Sequence, residues 1–237
     1  MIIINKDFYH KIPYKNIISL CKKYNIKPRR NKQDMINEII NIKKYKIIEK
    51  IGEGNDSKTY KVLQYSNPIS DYLAMKVFRK NKSINKILKE AMFQNSLSKF
   101  NITPIVYEVN LIHKYIIMEK LDQHLIHKII ENKGKMTNKH QKELINIYKT
   151  LDNNGIFHYD ANIMNYMLKD NKLYIIDFGT SNDINAKMVN KLGTNKPNMD
   201  ITTTGFILKL KQLKCPISSY NYILRFISDK NKKLYKI

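Results

Sequence analysis

The chain has 237 residues, 43% hydrophobic and 27% charged, enough for one medium domain or for a small module joined to a compact one. Its extreme property is a formal net charge of +23, which favours polyanions: nucleic acid, an acidic membrane surface or phosphate-rich substrates. The basic residues are nearly all Lys, beside abundant Asn and Ile; these are the residues of A/T-rich codons, so codon composition competes as the cause of the charge.

The opening apolar run, Met1 to Ile4, is too short for a signal-peptide core or a membrane span. Cys21 and Cys215 stand alone, with no CxxC pair or Cys/His cluster. That argues against structural zinc and a disulfide framework, and for a reducing compartment, cytoplasmic or nuclear.

Residues 1–44 are dense in base. Thirteen Lys or Arg fall in residues 1–50, against Asp7, Asp34, Glu38 and Glu49. Tyr14, Ile17, Ile18 and Cys21 recur at helical spacing, with Lys15, Lys22 and Lys23 on the other face. Asn25 to Arg30 break the pattern, and a second helix is predicted from about Lys32, with Met35, Ile36, Ile39 and Ile40 as its stripe. Over residues 12–41 this helix, extended turn and helix resembles the SAP motif, a small DNA-binding hairpin. The resemblance implies that Lys27, Arg29, Arg30 and Lys32 contact phosphates, contacts that position a protein without reading sequence. The competing reading is a helical pair that only packs on the main domain.

From Tyr45 the spacing predicts strands at Tyr45–Ile51, Thr59–Gln64 and Tyr72–Phe78, a helix over about Ser83–Phe100, and strands at Val106–Asn110 and Tyr115–Glu119. Helices follow at about Leu125–Ile130 and Asn138–Asn153, a loop at Gly155–Asn165, and a hairpin at Tyr166–Ile176; the remaining helices are expected after Asp200. Five strands with one helix, then a mainly helical half, make an α+β plan of two lobes, preceded by the helical hairpin.

The loops carry residues suited to phosphoryl transfer. In IGEGNDSKTY, Gly52 and Gly54 occupy a turn between strands, where backbone amides can approach phosphates without an intervening Cβ. Lys76 ends the apolar strand LAMK; a buried ammonium needs a partner or an anion, and Glu90 on the next helix can supply the carboxylate. GIFHYDANIMNYML gives His158, Asp160 and Asn165, and LYIIDFG gives Asp177-Phe178-Gly179. Transfer to a hydroxyl needs a carboxylate to orient the nucleophile and accept its proton, and oxygen ligands for magnesium on the triphosphate.

In that order, from a Gly loop to H-x-D-x-x-x-x-N and D-F-G, the motifs over about residues 45–230 resemble the protein-kinase superfamily. The resemblance implies ATP and Mg²⁺ as cofactors and a protein substrate. By it Asp160 is the catalytic base, Asn165 and Asp177 hold magnesium, and Lys76, paired with Glu90, binds the α/β phosphates. YIIMEKL resembles the hinge strand, so Glu119 and Leu121 would offer backbone hydrogen bonds to adenine. NMDITTTGFIL resembles the D-x-W-S-x-G helix, so Asp200 would anchor the catalytic-loop backbone.

Several positions depart from the family. Ser57 replaces the third glycine and Thr59 the apolar residue beneath it. Tyr159 replaces the arginine that meets an activation-loop phosphate, which implies activity independent of phosphorylation there. Asn162 replaces a lysine near the transferring phosphoryl group. No A-P-E follows, and Met199 comes only 20 residues after Gly179, so the helical lobe is expected to be abbreviated. This trimming resembles compact Bud32/RIO-like kinases and small kinases of large DNA viruses.

Three functions compete. The leading one is a Ser/Thr-type protein kinase directed to DNA by its N-terminus. A choline- or aminoglycoside-type small-molecule kinase shares the Asp/Asn loop. A pseudokinase would use the fold for binding alone, against which stands the joint presence of Lys76, Asp160, Asn165 and Asp177. His158 reads as a packed core histidine. His124 and His127 lack the Cys or acidic partners of a metal site.

Overall fold

The computed structural model describes residues 13–23, 26–28, 30–64 and 72–236. The chain divides into two compact units, Met1–Lys76 and Val77–Ile237.

The first unit opens with helices α1 (Tyr14–Lys23) and α2 (Lys32–Lys43). Asn31 starts α2, its side-chain oxygen accepting from the Gln33 N–H at 2.8 Å. Ile17 and Cys21 on α1 meet Met35, Ile36 and Ile39 on α2 in one buried cluster, as their spacing predicts. Two details depart from the sequence reading. Tyr14 is exposed rather than on the stripe. Ile26, placed in the break, plugs the cluster, its N–H donating to the Cys21 carbonyl at 2.8 Å.

Strands β1 (Tyr45–Glu53) and β2 (Ser57–Gln64) pair antiparallel, with Gly52 opposite Thr59 and two bulges in β1. The turn closes with the Gly54 N–H on the Ser57 carbonyl at 2.9 Å. Strand β3 (Leu73–Phe78) follows.

The second unit carries helix α3 (Ile84–Ser98), strands β4 (Val106–Asn110), β5 (Tyr115–Glu119) and β6 (Gln123–His124), and helices α4 (Leu125–Glu131) and α5 (Asn138–Asn153). Ser83 and Thr137 cap α3 and α5, each side-chain oxygen accepting the N–H three residues on. Next come β7 (Ile156–Phe157), a 3₁₀ turn at Ile163–Asn165, and the hairpin of β8 (Tyr166–Lys169) and β9 (Lys172–Ile175). Asp170 and Asn171 turn that hairpin with φ of +50° and +57°, the pair of positive angles that a two-residue turn of primed type requires. Strand β10 (Asn182–Asp183) and helices α6 (Ala186–Leu192), α7 (Thr203–Gln212) and α8 (Asp229–Tyr235) complete the unit.

Strands β1 to β5 form one antiparallel sheet ordered β1-β2-β3-β5-β4; β6-β8-β9 and β10-β7 form two smaller ones. The architecture is the expected α+β class. The stretch read as one loop from Gly155 to Asn165 instead opens with a strand and ends in a 3₁₀ turn, and α6 lies before Asp200, where no helix was expected. The core of the second unit gathers α5, the β8–β9 hairpin and α7: Leu144, Tyr148, Leu151, Tyr166, Leu173, Ile175, Phe206 and Ile207 are all buried. Burying each such side chain stabilises by roughly 1.5–3 kcal/mol before chain entropy is subtracted. Among the described residues no helix is long and apolar enough to cross a membrane.

Candidate active site

Strand β7 leads into the turn that carries Tyr159 and Asp160. Tyr159 and Asp177 both take left-handed backbone angles, φ +68° and +64°. Such angles are costly for side chains with a Cβ, and they persist only where surrounding bonds enforce them. Around Tyr159 those bonds come from His158. It is fully buried, its ring edge-on to Phe178 at 5.0 Å, and its ring nitrogens lie 3.1 Å from the carbonyls of Asp160 and Ile176. A neutral imidazole donates to one of the two. Burial lowers the pKa of His158 against the pull of those carbonyls, so it stays neutral and structural, as its sequence reading expected. Its own carbonyl accepts from Thr180 Oγ1 at 3.3 Å and Ser181 Oγ at 3.2 Å, which ties the segment after Asp177-Phe178-Gly179 to this loop.

Asp160 is half-buried, and its Oδ1 accepts the Asn162 N–H at 2.9 Å. Asn162 in turn caps the 3₁₀ turn, its Oδ1 accepting the Met164 N–H at 3.1 Å. The turn holds Asn165, whose N–H donates to the Asn162 carbonyl and whose carbonyl accepts the Ile176 N–H, each at 2.9 Å. One chain of bonds therefore links Asp160 and Asn165 to the residue before Asp177. Asn162, which replaces a family lysine, here shapes the loop. Beneath it the Tyr148 and Tyr166 hydroxyls meet at 2.6 Å, and burial, reinforced by the charge of Asp160, pushes both phenols up and keeps them neutral.

Asp177 is exposed and Glu90, on α3, is buried. The structure brings them together at Gly179. A Cβ built there would lie 3.2 Å from Asp177 Oδ1, 3.3 Å from Glu90 Oε2 and 3.7 Å from Lys82 Nζ, so a side chain at 179 would crowd this group of charges. Sequence reasoning missed Lys82. It is one lysine among many, in a loop without a motif.

The anchoring role expected of Asp200 falls to Asn198. Buried Asn198 accepts the His158 N–H at 3.1 Å, and its amide donates at 2.7 Å to both Asp152 Oδ1 and the Ile156 carbonyl. The Asn198 and Met199 N–H groups also donate to the Asp152 carboxylate, at 3.0 Å each, while burial pushes that carboxyl above its ordinary pKa. Asp200 accepts from Thr194 Oγ1 instead. Asn198 opens a π-helical turn, Asn198–Thr202, ahead of α7. Gly205 packs against the same loop, since a Cβ there would stand 2.9 Å from the Cβ of Ala161.

At the end of β5 the Glu119 N–H donates to the Ile105 carbonyl and its carboxylate pairs with Lys169. Leu121 is buried, its carbonyl accepting from Lys120 Nζ. The carbonyl of Leu121 and the N–H of Glu119 are thus already engaged. In the first unit Lys76 is buried on β3, Gly52 faces Thr59, and a Cβ on Gly54 would meet nothing within 4 Å. Glycine at 54 is therefore not demanded by the chain's own packing. Lys27 and Arg30 are exposed and Lys32 is half-buried, while Arg29 lies outside the described residues. His124 Nδ1 sits 2.9 Å from the Met164 carbonyl with His127 edge-on, and among the described residues no three His, Cys, Asp or Glu gather as metal ligands.

The Asn165 side-chain amide is buried with its Nδ2 unpartnered. Reversing the amide, whose two ends are distinguished only by their bonding, puts an oxygen there instead. An amide oxygen and the Asp177 carboxylate are hard donors suited to Mg²⁺, which keeps few protein ligands and takes the rest from phosphate and water. The residues fit the ion.

A protein called "Probable bifunctional tRNA threonylcarbamoyladenosine biosynthesis protein", from Methanosphaera stadtmanae, is 31% identical over 97 residues, which are 40% of this chain and 18% of that protein. The chain thus matches less than a fifth of that relative's length. The family model for the protein kinase domain matches residues 45–198, from β1 through the catalytic loop to Asn198. That is well over half of the sequence, and the chain belongs to the protein kinase domain family.

Proposed function

We propose that this chain is an ATP- and Mg²⁺-dependent kinase of Ser/Thr type, transferring the γ-phosphoryl group to a protein hydroxyl in the cytoplasm or nucleus. The observation that carries this reading is the bond chain from Asp160 through Asn162 and Asn165 to Ile176, which sets a carboxylate and two oxygen donors on adjoining loops. Asp160 orients the hydroxyl and accepts its proton as the new P–O bond forms. Asn165 and Asp177 hold the magnesium, which when bound neutralises charge on the phosphates. Lys76 meets the α/β phosphates, the Gly52–Gly54 turn lets the backbone approach them with no Cβ intervening at either glycine, and Glu119 and Leu121 offer the Glu119 carbonyl and the Leu121 N–H to adenine.

The test is transfer of label from ATP with Mg²⁺ to generic acidic and basic proteins, followed by phosphoamino-acid analysis. Asp160→Ala and Asp177→Ala should each abolish incorporation while remaining folded. Label on tyrosine would remove the Ser/Thr assignment. Nucleotide binding without transfer would leave a binding module, and transfer to a small hydroxyl compound alone would move the reading to a small-molecule kinase.

The exposed Lys27 and Arg30 and the separate core of α1 and α2 support a second element, docking of residues 12–41 on DNA. Replacing Arg29, Arg30 and Lys32 by Ala should weaken duplex binding and flatten its dependence on salt; unchanged affinity would sink the SAP reading. The name of the Methanosphaera relative gives reason to include tRNA among the ligands tried, with tighter binding to tRNA than to duplex DNA overturning the DNA assignment.

A further inference from the structure

Glu90 Oε2 and Asp177 Oδ1 lie within 3.3 Å of one point beside Gly179. Two carboxylates converging on one point, one of them buried, disfavour each other's charge. The ammonium of Lys82 lies 3.7 Å from that same point, on a side chain that is itself buried. Its position is fixed from behind. The Lys82 N–H donates to the Arg79 carbonyl at 3.0 Å, Lys114 Nζ donates to the carbonyls of Lys80 and Lys82, and the next residue, Ser83, caps α3.

We propose that Lys82 is a positioning residue for the metal-bearing turn. Its ammonium offsets the repulsion between Glu90 and Asp177, and so holds the Asp177 carboxylate where it can take a magnesium ion. Lys82 belongs to none of the motifs that place Lys76, Asp160 or Asn165, and it acts through Asp177 without touching the reacting atoms. The inference rests on the kinase reading above.

The test uses the full chain as wild type, Lys82→Gln and Lys82→Arg, with a fluorescent ADP analogue titrated with Mg²⁺ and, separately, without metal. Lys82→Gln should raise the Mg²⁺ concentration for half-maximal metal-dependent binding about tenfold, the usual scale for losing a group that orients a metal ligand. Metal-free binding and the thermal midpoint should change little, and Lys82→Arg, which keeps the charge, should stay within about twofold of wild type. An unchanged Mg²⁺ requirement in Lys82→Gln overturns the proposal while leaving the kinase reading intact. Equal losses in Gln and Arg, or failure of both to fold, overturn it in favour of a purely structural lysine. A wild type whose nucleotide binding ignores Mg²⁺ overturns the kinase reading, and this inference with it.

Discussion

Asn198 concentrates the interactions that hold the catalytic loop. Asn198→Ala strands the His158 N–H and the Ile156 carbonyl and removes a side-chain donor from Asp152. Buried groups left unpaired cost about 1–3 kcal/mol each, so the variant should lose roughly 2–4 kcal/mol in denaturant unfolding, against a much smaller loss for Asp200→Ala. Equal losses would return the anchoring role to Asp200. His158 predicts the pH dependence. Burial depresses its folded pKa below the unfolded value near 6.5, so between the two the unfolded state carries the extra proton. Stability should be full above about pH 6.5 and fall as pH drops toward the depressed folded value. His124, also lowered by burial, acts in the same direction. A His158→Gln variant, compared with wild type by thermal unfolding between pH 7.5 and 5, should therefore show a shallower slope without losing it altogether; parallel slopes would mean that another group carries the effect.

Two elements owe their positions to single close contacts. Helix α7 approaches the catalytic loop through Gly205, whose added Cβ would stand 2.9 Å from that of Ala161. Gly205→Ala should cost about 1–3 kcal/mol by overpacking and lower turnover. The double variant Gly205→Ala/Ala161→Gly should recover most of both, and no recovery would place the fault elsewhere. In the first unit Ile36 is fully buried in the cluster shared by α1 and α2. Ile36→Ala should cost roughly 2–5 kcal/mol of that cluster's stability, read as lost helical circular dichroism on heating and weaker polyanion binding. Most helix and strand positions were legible because stripes at helical or alternating spacing bury what they predict; Val106–Asn110, Tyr115–Glu119 and Asn138–Asn153 lie where the spacing put them. Helix α6 escaped because it is seven residues long and none of its side chains is fully buried; it is set by the Asn185 cap, whose oxygen accepts the Met188 N–H at 3.0 Å.

For the whole molecule, the segment after Gly179 is already seated without phosphate. Strand β10 pairs with β7, the Ile184 N–H donates to the Gly155 carbonyl at 2.7 Å, and Lys89 donates to Asn182 at 3.0 Å. With Tyr159 where the family has an arginine, position 159 offers no cation to a phosphate. Phosphatase treatment should therefore leave transfer within about twofold of untreated protein, since no charge-assisted pairing depends on the modification. A large loss would show a phosphorylated residue holding the segment in some other way.

The sequence by itself determined the family and the α+β class, and it singled out Asp160, Asn165 and Asp177 as candidates, because phosphoryl transfer restricts the residue types and their spacing along a loop. Only the tertiary structure decided which side chains serve those three. Asn198, at the start of a π-helical turn, accepts the His158 N–H where Asp200 was expected to, a contact between positions 40 residues apart that only folding brings together. Lys82 emerged because buried Glu90 and exposed Asp177 converge beside Gly179, and in so lysine-rich a chain the lysine that lies near them is chosen by the fold.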